Sequence, residues 1–312
     1  MTDPEITAVV AAIEPEADGI VSLRLEPAAG EKMPAWEPGA HVDLILGADL
    51  ERQYSLCGDP GELSHWRLGV LREPESRGGS SYVHETLAVG DRVACRGPRN
   101  NFALVEADKY LFIAGGIGIT PILPMIAACE DAGKPWRLYY GGRRESSMAF
   151  RGELARYGGR VAFLPQDTHG LLDLATILGT PGPGTAVYCC GPGALLDAVE
   201  ERCPAGVLHL ERFRPKEGAL AGVNVAFEVE LEASGITLTV GADQTLAEAI
   251  EAAGVDLPTS CREGTCGTCE TYVLEGEPEH RDSYLGAEEQ ASGEVIMPCC
   301  SRSRSPRLVL DL

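Results

Sequence analysis

Cys261-Arg262-Glu263-Gly264-Thr265-Cys266-Gly267-Thr268-Cys269 is the stretch on which the rest of the chain depends. Three thiols stand in a C-x4-C-x2-C arrangement, and a fourth follows within Pro298-Cys299-Cys300-Ser301. This is the plant-type spacing for a [2Fe–2S] cluster. Two irons and two sulfides need four thiolates from opposite sides, three from one tight loop and one from a distant segment. Gly264 and Gly267 let the loop backbone curl close to the sulfides and aim N–H groups at them. A zinc site and a disulfide pair are the alternatives. Structural zinc usually takes two paired C-x2-C knuckles, and this chain has one knuckle with an offset third cysteine.

A chain of 312 residues has room for two or three domains with cores of their own. No long apolar run suggests a membrane span, and Met1-Thr2-Asp3-Pro4-Glu5 lacks the basic and apolar regions of a signal peptide. Eleven scattered cysteines fit a reducing compartment better than a disulfide framework. A cytoplasmic enzyme, expected as a monomer, follows. The net charge of −21 weighs against nucleic-acid binding. From Asn224 onward 17 acidic residues face 5 basic ones, a net of −12. That bias serves either solubility or docking of a basic redox partner.

The first hundred residues read as short strands (Ile20–Leu25, Val42–Leu46, Trp66–Val70) separated by Pro- and Gly-rich turns, the pattern of a barrel. Near Tyr110 the pattern changes. Tyr110–Ala114, Arg137–Tyr140, Val161–Leu164, Ala186–Cys190 and Val207–Leu210 read as strands. Pro121–Ala132, Met148–Tyr157 and Pro192–Arg202 read as helices between them. Such alternation means a parallel α/β sheet. A compact β-rich unit follows: Ala226–Glu232, Thr237–Val240, a helix at Thr245–Ala253, the cysteine loop, Tyr272–Leu274 and Arg307–Asp311. The expected fold is multidomain α+β. It comprises an antiparallel β-barrel flavin domain (1–104), an α/β nucleotide domain (105–214), a linker (215–223) and a β-grasp ferredoxin domain (224–312).

Two motifs in the barrel region suggest a flavin. In Arg52-Gln53-Tyr54-Ser55 an arginine can neutralise a phosphate, a tyrosine can lie against an isoalloxazine and a serine can donate to the ring. In Arg77-Gly78-Gly79-Ser80-Ser81, glycine N–H groups and a hydroxyl ahead of a helical stretch, Tyr82–Leu87, make an anion pocket. A flexible Gly/Ser loop is the plainer reading of the second.

Ala114-Gly115-Gly116-Ile117-Gly118-Ile119-Thr120-Pro121 joins a strand to a helix. Gly115, Gly116 and Gly118 let backbone approach a pyrophosphate, Thr120 can cap the helix and Pro121 suits its first position. This is not the G-x-G-x-x-G dinucleotide fingerprint. Cys189-Cys190-Gly191-Pro192 forms a second strand-end turn at the same sheet edge, where α/β ligands bind. Arg143 and Arg144 end the second strand, where an adenosine ribose would lie.

Taken together and in order, Arg-x-Tyr-Ser-Leu, Arg-Gly-Gly-Ser, Gly-Gly-Ile-Gly-Ile-Thr-Pro, Cys-Cys-Gly-Pro and the C-terminal cluster motif resemble the phthalate dioxygenase reductase family, with vanillate O-demethylase reductases as close kin. The resemblance covers nearly the whole chain. It implies FMN in the barrel, NADH in the α/β domain and a ferredoxin domain last. The FMN site would then use Arg52, Gln53, Tyr54 and Ser55, with Gly69-Val70-Leu71 beside the ring and Gly78, Gly79 and Ser80 at the phosphate. Thr120 would reach the flavin from the next domain and Phe213 would pack near it. Gln53 departs from the family, where threonine is common. Cys190 would face the nicotinamide, beside Gly191 and Pro192, while Arg143 would lie near the adenosine and Asp167 would repel a 2′-phosphate. The fourth cluster ligand would be Cys299 rather than Cys300.

Nicotinamide yields two electrons together as hydride, a [2Fe–2S] cluster accepts one at a time, and a flavin can do both. The implied function is an NADH-dependent reductase that feeds a Rieske-type aromatic oxygenase, ring-hydroxylating or O-demethylating. A reductase for a cytochrome P450 and a ferredoxin carrier without NADH activity are the alternatives.

Overall fold

The structure, a computed structural model, describes residues 5–30, 32–47 and 50–312. The chain parts into two compact units between Glu211 and Arg212.

The first unit opens with six antiparallel strands: β1 (Glu5–Ala17), β2 (Ile20–Pro27), β3 (His41–Gly47), β4 (Leu50–Ser55), β5 (Trp66–Leu71) and β6 (Arg92–Arg99). Their order is β4-β3-β6-β1-β2-β5. A bridge from Leu56, just past β4, to Leu68 of β5 joins the two outer strands. The Cys57 N–H adds a hydrogen bond of 2.9 Å to the Arg67 carbonyl. The sheet thereby closes into a barrel. Side chains alternate along each strand, so Leu23 and Leu25, Val42 and Leu44, and Trp66, Leu68 and Val70 fill its interior. Helix α1 (Gly79–Glu85) adds Val83 to that core.

The same unit continues with five parallel strands: β7 (Lys109–Gly115), β8 (Trp136–Gly142), β9 (Val161–Pro165), β10 (Thr185–Cys190) and β11 (Leu208–Glu211). They run β11-β10-β7-β8-β9, so the order reverses beside β7. Helices α2 (Ile122–Asp131), α3 (Arg151–Ala155), α4 (Gln166–His169), α5 (Leu174–Leu178) and α6 (Gly193–Glu200) connect them. Phe112, Leu138, Tyr140, Tyr188 and Cys190 pack on one face, and Ile113, Val187 and Cys189 on the other. Burial on both faces explains why these strands read as unbroken apolar runs.

The second unit holds β12 (Phe227–Leu231), β13 (Ile236–Val240), α7 (Leu246–Ala252), β14 (Thr271–Glu275), β15 (Pro278–Glu279), α8 (Ala287–Ser292), β16 (Val295–Ile296), β17 (Arg302–Ser303) and β18 (Arg307–Leu310). Its main sheet runs β13-β12-β18-β14-β16, with β12 and β18 parallel. Thr245 and Glu248 cap α7 reciprocally: Thr245 Oγ1 accepts from the Glu248 N–H at 3.1 Å, and Glu248 Oε2 accepts from the Thr245 N–H at 2.7 Å. Leu246 and Ile250 of the helix pack on Val229, Leu231 and Leu308. This is the expected β-grasp.

Three departures from the sequence reading bear on the site. The helix expected at Met148–Tyr157 is cut to Arg151–Ala155, because Phe150 sits at φ 59° in the left-handed region and Met148 is extended. Core burial of Met148, Ala149 and Phe150 outweighs their helical periodicity. Thr120 does not cap α2. The 3₁₀ turn Gly116–Ile119 runs straight into that helix, so Thr120 is already helical and its hydroxyl donates back to the Ile117 carbonyl at 2.9 Å. Finally, β1 is a strand of 13 residues that the sequence reading does not single out, since its alanines favour no period.

Phe112 is fully buried in β7 between Tyr110, Trp136 and Tyr188. Phe112→Ala should destabilise the first unit by roughly 3–5 kcal/mol. All three tryptophans, Trp36, Trp66 and Trp136, lie in this unit, so urea unfolding followed by tryptophan fluorescence isolates the effect.

Candidate functional site

The cysteine loop Cys261–Cys269 needs backbone that side chains resist. Gly264 and Gly267 sit at φ 70° and 72°, and Arg262 at φ 54°. A Cβ on Gly264 would lie 2.8 Å from Asp282 Cα and collide with Cys300 Sγ, and one on Gly267 would enter the Tyr284 ring. So folded, the loop turns its sulfurs inward. The thiols of Cys261 and Cys266, of Cys261 and Cys299, and of Cys269 and Cys299 are hydrogen-bonded. The Glu263 and Thr265 N–H groups each donate to Cys261 Sγ at 3.4 Å. Cys299, not Cys300, links two loop thiols; Cys300 Sγ packs over Gly264 and points to the Met297 carbonyl at 3.8 Å.

Hydrogen bonds from the Cys266 and Cys299 thiols push Cys261 down to about 2, against the effect of burial. Cys269 is lowered by its bond from Cys299, and the same bonds raise Cys266 and Cys299. The one cationic side chain of the loop, Arg262, is turned to Glu251 at 2.8 Å. Ferric iron held by Cys261, Cys266, Cys269 and Cys299 would supply the missing positive charge and displace the remaining thiol protons. Among the described residues no three His, Cys, Asp or Glu side chains gather round a single ion position. The thiols run instead as a chain, Cys266–Cys261–Cys299–Cys269, which suits a group with two irons. The donor set fits a [2Fe–2S] cluster.

In the barrel, Arg52 and Tyr54 lie on the opposite face of β4 from Gln53 and Ser55. Gln53 Nε2 is 3.3 Å from His41 Nε2, and Ser55 pairs with His41 across the ladder. Arg52 reaches the 76–81 loop, where one guanidinium nitrogen donates to the Arg77 carbonyl at 2.5 Å. Gly79 leaves room for the Arg52 stem, which a Cβ would strike. The Gly78 and Ser81 N–H groups, each at 3.2 Å, and the Ser80 hydroxyl, at 3.0 Å, converge on Ser76 Oγ. Three donors meeting on one oxygen beside a guanidinium fit a phosphate. Ser76 stands just ahead of the quoted motif and was missed. Tyr54 is pushed up to about 12 by burial, partly offset by Arg52, and stays a neutral phenol.

On β5 only two of the three expected residues face the parallel sheet. Leu71 packs on its core. Gly69 lets it close in: a Cβ there would lie 2.7 Å from Thr120 Cγ2 and 3.2 Å from Phe150 Cζ. Val70 points into the barrel core. Phe213 belongs to the second unit and is 41% exposed.

The carboxyl ends of the parallel strands bring the nicotinamide candidates to one edge. A Cβ on Gly115 would lie 2.6 Å from Pro192 Cδ, and one on Gly118 would lie 2.6 Å from the Gly191 nitrogen. Gly191 in turn approaches Gly115 Cα, a Cβ on it falling 3.0 Å away. These glycines join two turns main chain to main chain. Gly116, at φ 55° with nothing within 4 Å of a Cβ, is the one open to a ligand. Arg143 and Asp167 are both exposed, and the Asp167 N–H donates to the Arg143 carbonyl at 3.2 Å.

Cys190 is fully buried, its thiol pushed well up by burial. It donates to Glu211 Oε2 at 3.7 Å. Glu211, the last residue of β11, is itself pushed up to about 8 by burial and is protonated at neutral pH. Sequence reading missed it, because the parallel pairing of Cys190 with Glu211 carries no local signal. Neither Cys190 nor Glu211 therefore presents an anion to repel a hydride.

Residues 229–304 match the 2Fe-2S iron-sulfur cluster binding domain, and residues 112–201 match the oxidoreductase NAD-binding domain. Fold and site thus define an oxidoreductase that links a nicotinamide nucleotide to an iron–sulfur centre. The chain is 43% identical over 302 residues to phenoxybenzoate dioxygenase subunit beta from Ectopseudomonas oleovorans, covering 95% of this chain and 94% of that one. Its structure is similar to phthalate dioxygenase reductase, with a TM-score of 0.71 and 35% identity over 99% of this chain and 98% of the other. It is also similar to an intact type IV self-sufficient cytochrome P450 monooxygenase, with a TM-score of 0.88 and 42% identity over 99% of this chain. The chain spans 41% of that protein's length. The chain belongs to the phthalate dioxygenase reductase family. It is a reductase of oxygenase systems, and its cofactors are NADH, FMN and a [2Fe–2S] cluster.

Arg52→Ala should weaken FMN binding roughly 10- to 100-fold, the worth of a charged hydrogen bond to phosphate. Flavin fluorescence titration of the apoprotein reads this, and unchanged affinity would remove Arg52 from the site. Glu211 holds a proton in the folded state between its ordinary value of 4.5 and about 8, where the unfolded chain has released it. Its contribution to stability is therefore lost progressively as pH rises through that window. Glu211→Gln should flatten this part of the pH–stability curve, measured by unfolding midpoints at about pH 5 and about pH 8.5.

Proposed function

We propose that this chain draws electrons from NADH and delivers them, through FMN and the cluster, to a Rieske-type aromatic oxygenase that hydroxylates a ring or removes an O-methyl group. The observation that carries the reading is the four-thiol set in a chain that also holds a nicotinamide edge. FMN supplies the conversion from paired to single electrons. The protein's part is placement. Arg52, Gly78, Gly79, Ser80 and Ser76 hold the phosphate, Tyr54 walls the ring, and Gln53 and Ser55, on the far face of β4, fix that strand from behind against His41. Gly69 and Leu71 set how close the nicotinamide edge comes, with Val70 bracing them from behind. Thr120 and Cys190 lie buried at this edge and uncharged, so the packing beneath the nicotinamide carries no charge and excludes water. Gly116, Gly191 and Pro192 shape the pyrophosphate turn that Gly115 and Gly118 hold closed. Cys261, Cys266, Cys269 and Cys299 hold the iron.

NADH is the donor in this reading: the Asp167 carboxylate beside Arg143 disfavours a 2′-phosphate. The barrel ends near residue 104, the nucleotide domain near 214, and the ferredoxin domain begins near 224. The enzyme is a cytoplasmic monomer, in keeping with cysteines of which none is in a disulfide among the described residues; among these residues no helix is long and apolar enough to cross a membrane. A second reading, delivery to a cytochrome P450, is favoured by the likeness to the self-sufficient monooxygenase.

NADH added without air to flavin-replete protein should reduce the iron, seen as an EPR signal at low temperature. Cys266→Ser should abolish that signal and cytochrome c reduction while sparing two-electron dye reduction. Iron that stays oxidised in the wild type overturns the reading.

A further inference from the structure

His280 follows β15 and is buried, its side chain 9% exposed. Neither ring nitrogen has a hydrogen-bond partner among the described residues. Nδ1 lies 3.5 Å from Asp282 Oδ1, and the Asp282 side chain is fully buried. That carboxylate is already engaged: Oδ2 accepts from the Leu285 N–H at 2.8 Å and the Tyr284 N–H at 3.3 Å, and Oδ1 from the Ser301 hydroxyl at 3.4 Å. Burial alone would raise Asp282, but His280 and these donors bring it below the usual aspartate range. It is an anion inside the protein, and the His280 ring is the group that faces it.

The pair sits against both arms of the cluster site. Asp282 is the residue that Gly264 must be a glycine to clear, and the Ser283 N–H donates to the Gly264 carbonyl at 2.8 Å. Ser301, which bonds Asp282, lies two residues past Cys299. Other charged groups nearby are Glu279 and Arg281 on the same segment and Arg302 across the β15–β17 ladder. Glu279 and Arg281 are paired with each other at 2.8 Å. Arg302 is spent on the carbonyls of Gln244, Val225 and Gly241. Beyond Gly264 lie the cluster thiols. Arg302 keeps a lone Nε but bonds through its other nitrogens, so among the groups in this set His280 alone has no nitrogen hydrogen-bonded.

We infer that His280, backed by Asp282, is a positioning residue that takes up a proton when the iron is reduced. An electron arriving on the iron adds one negative charge to a site poor in cations. With Nδ1–H turned to Asp282, Nε2 accepts one proton from solvent, and the local charge is unchanged. No other reactant is needed. The inference rests on the cluster assignment above and goes beyond it, since a ligand set alone requires no proton.

The test is the cluster's midpoint potential, read from its own EPR signal in full-length holoprotein across about pH 5 to 8, where imidazoles change charge. Wild type should fall by about 59 mV per pH unit over part of that range, one proton per electron. His280→Gln should keep the EPR signal and show a flat profile. A flat wild-type profile overturns the inference without any variant, as does an equal slope in His280→Gln. Wild-type material with no such signal overturns the cluster assignment and this inference with it.

Discussion

Four sulfurs held within hydrogen-bond reach in a buried pocket cannot all ionise unless a cation joins them. The second unit is arranged around that constraint. Backbone in the left-handed region at Arg262, Gly264 and Gly267 brings three thiols to one side, and the segment after β16 brings Cys299 to the other. The N–H groups of Glu263 and Thr265 favour the charged form of Cys261. Arg262, the one cationic side chain in the loop, is committed to Glu251. The site therefore waits for metal charge, and metal binding there contributes to folding as well as to function.

The first unit obeys a different constraint, that of closeness. Hydride moves only between atoms near van der Waals contact, roughly 3–3.5 Å apart. Gly69 lets the barrel approach Thr120, and Gly115, Gly118 and Gly191 let two strand-end turns touch. A methyl group at any of these would meet a neighbour at 3.0 Å or less, closer than packed atoms allow. Charge is kept out of the same place. Burial keeps Cys190 as a thiol and Glu211 protonated at neutral pH, so nothing anionic from these residues faces an arriving hydride. One end of the chain gathers negative charge for a metal, and the other suppresses it for a nucleotide.

What the sequence reveals follows from how local each signal is. Ligand spacing in Cys261–Cys269 is fixed by bond lengths and loop size, so it survives without a structure. Strands buried on both faces announce themselves as apolar runs. The glycines around 115–118 were legible as a turn, but two of the three serve main-chain contact with 190–192 rather than a ligand. That distinction needs the partner turn, which lies about seventy residues away in sequence. Glu211 was invisible for the same reason: its neighbour Cys190 is 21 positions earlier, and only the parallel register brings them together. The helix expected at 148–157 failed because a pattern of apolar residues cannot show that Phe150 turns left-handed to reach the core.

The Pro/Gly/Ala-rich stretch 215–223 shows composition losing to hydrogen bonding. Such a sequence ordinarily behaves as a loose tether. Here the stretch and the two residues after it are fastened to the rest of the second unit. The Lys216 N–H donates to Ser283 Oγ at 2.8 Å, Arg281 donates to Asn224 Oδ1 at 2.7 Å and to the Val223 carbonyl at 3.3 Å, and Arg302 donates to the Val225 carbonyl at 3.1 Å. Gly222 must lack a Cβ to admit the Arg281 guanidinium. A free linker lets a carrier explore widely and dilutes its effective concentration, whereas a short one keeps it high. Fastening these residues shortens whatever freely jointed chain remains. The fasteners, Arg281 and Ser283, flank the Asp282 that supports the cluster loop. A change that loosened the stretch would therefore act first on the packing of the iron site, not on the reach of the tether.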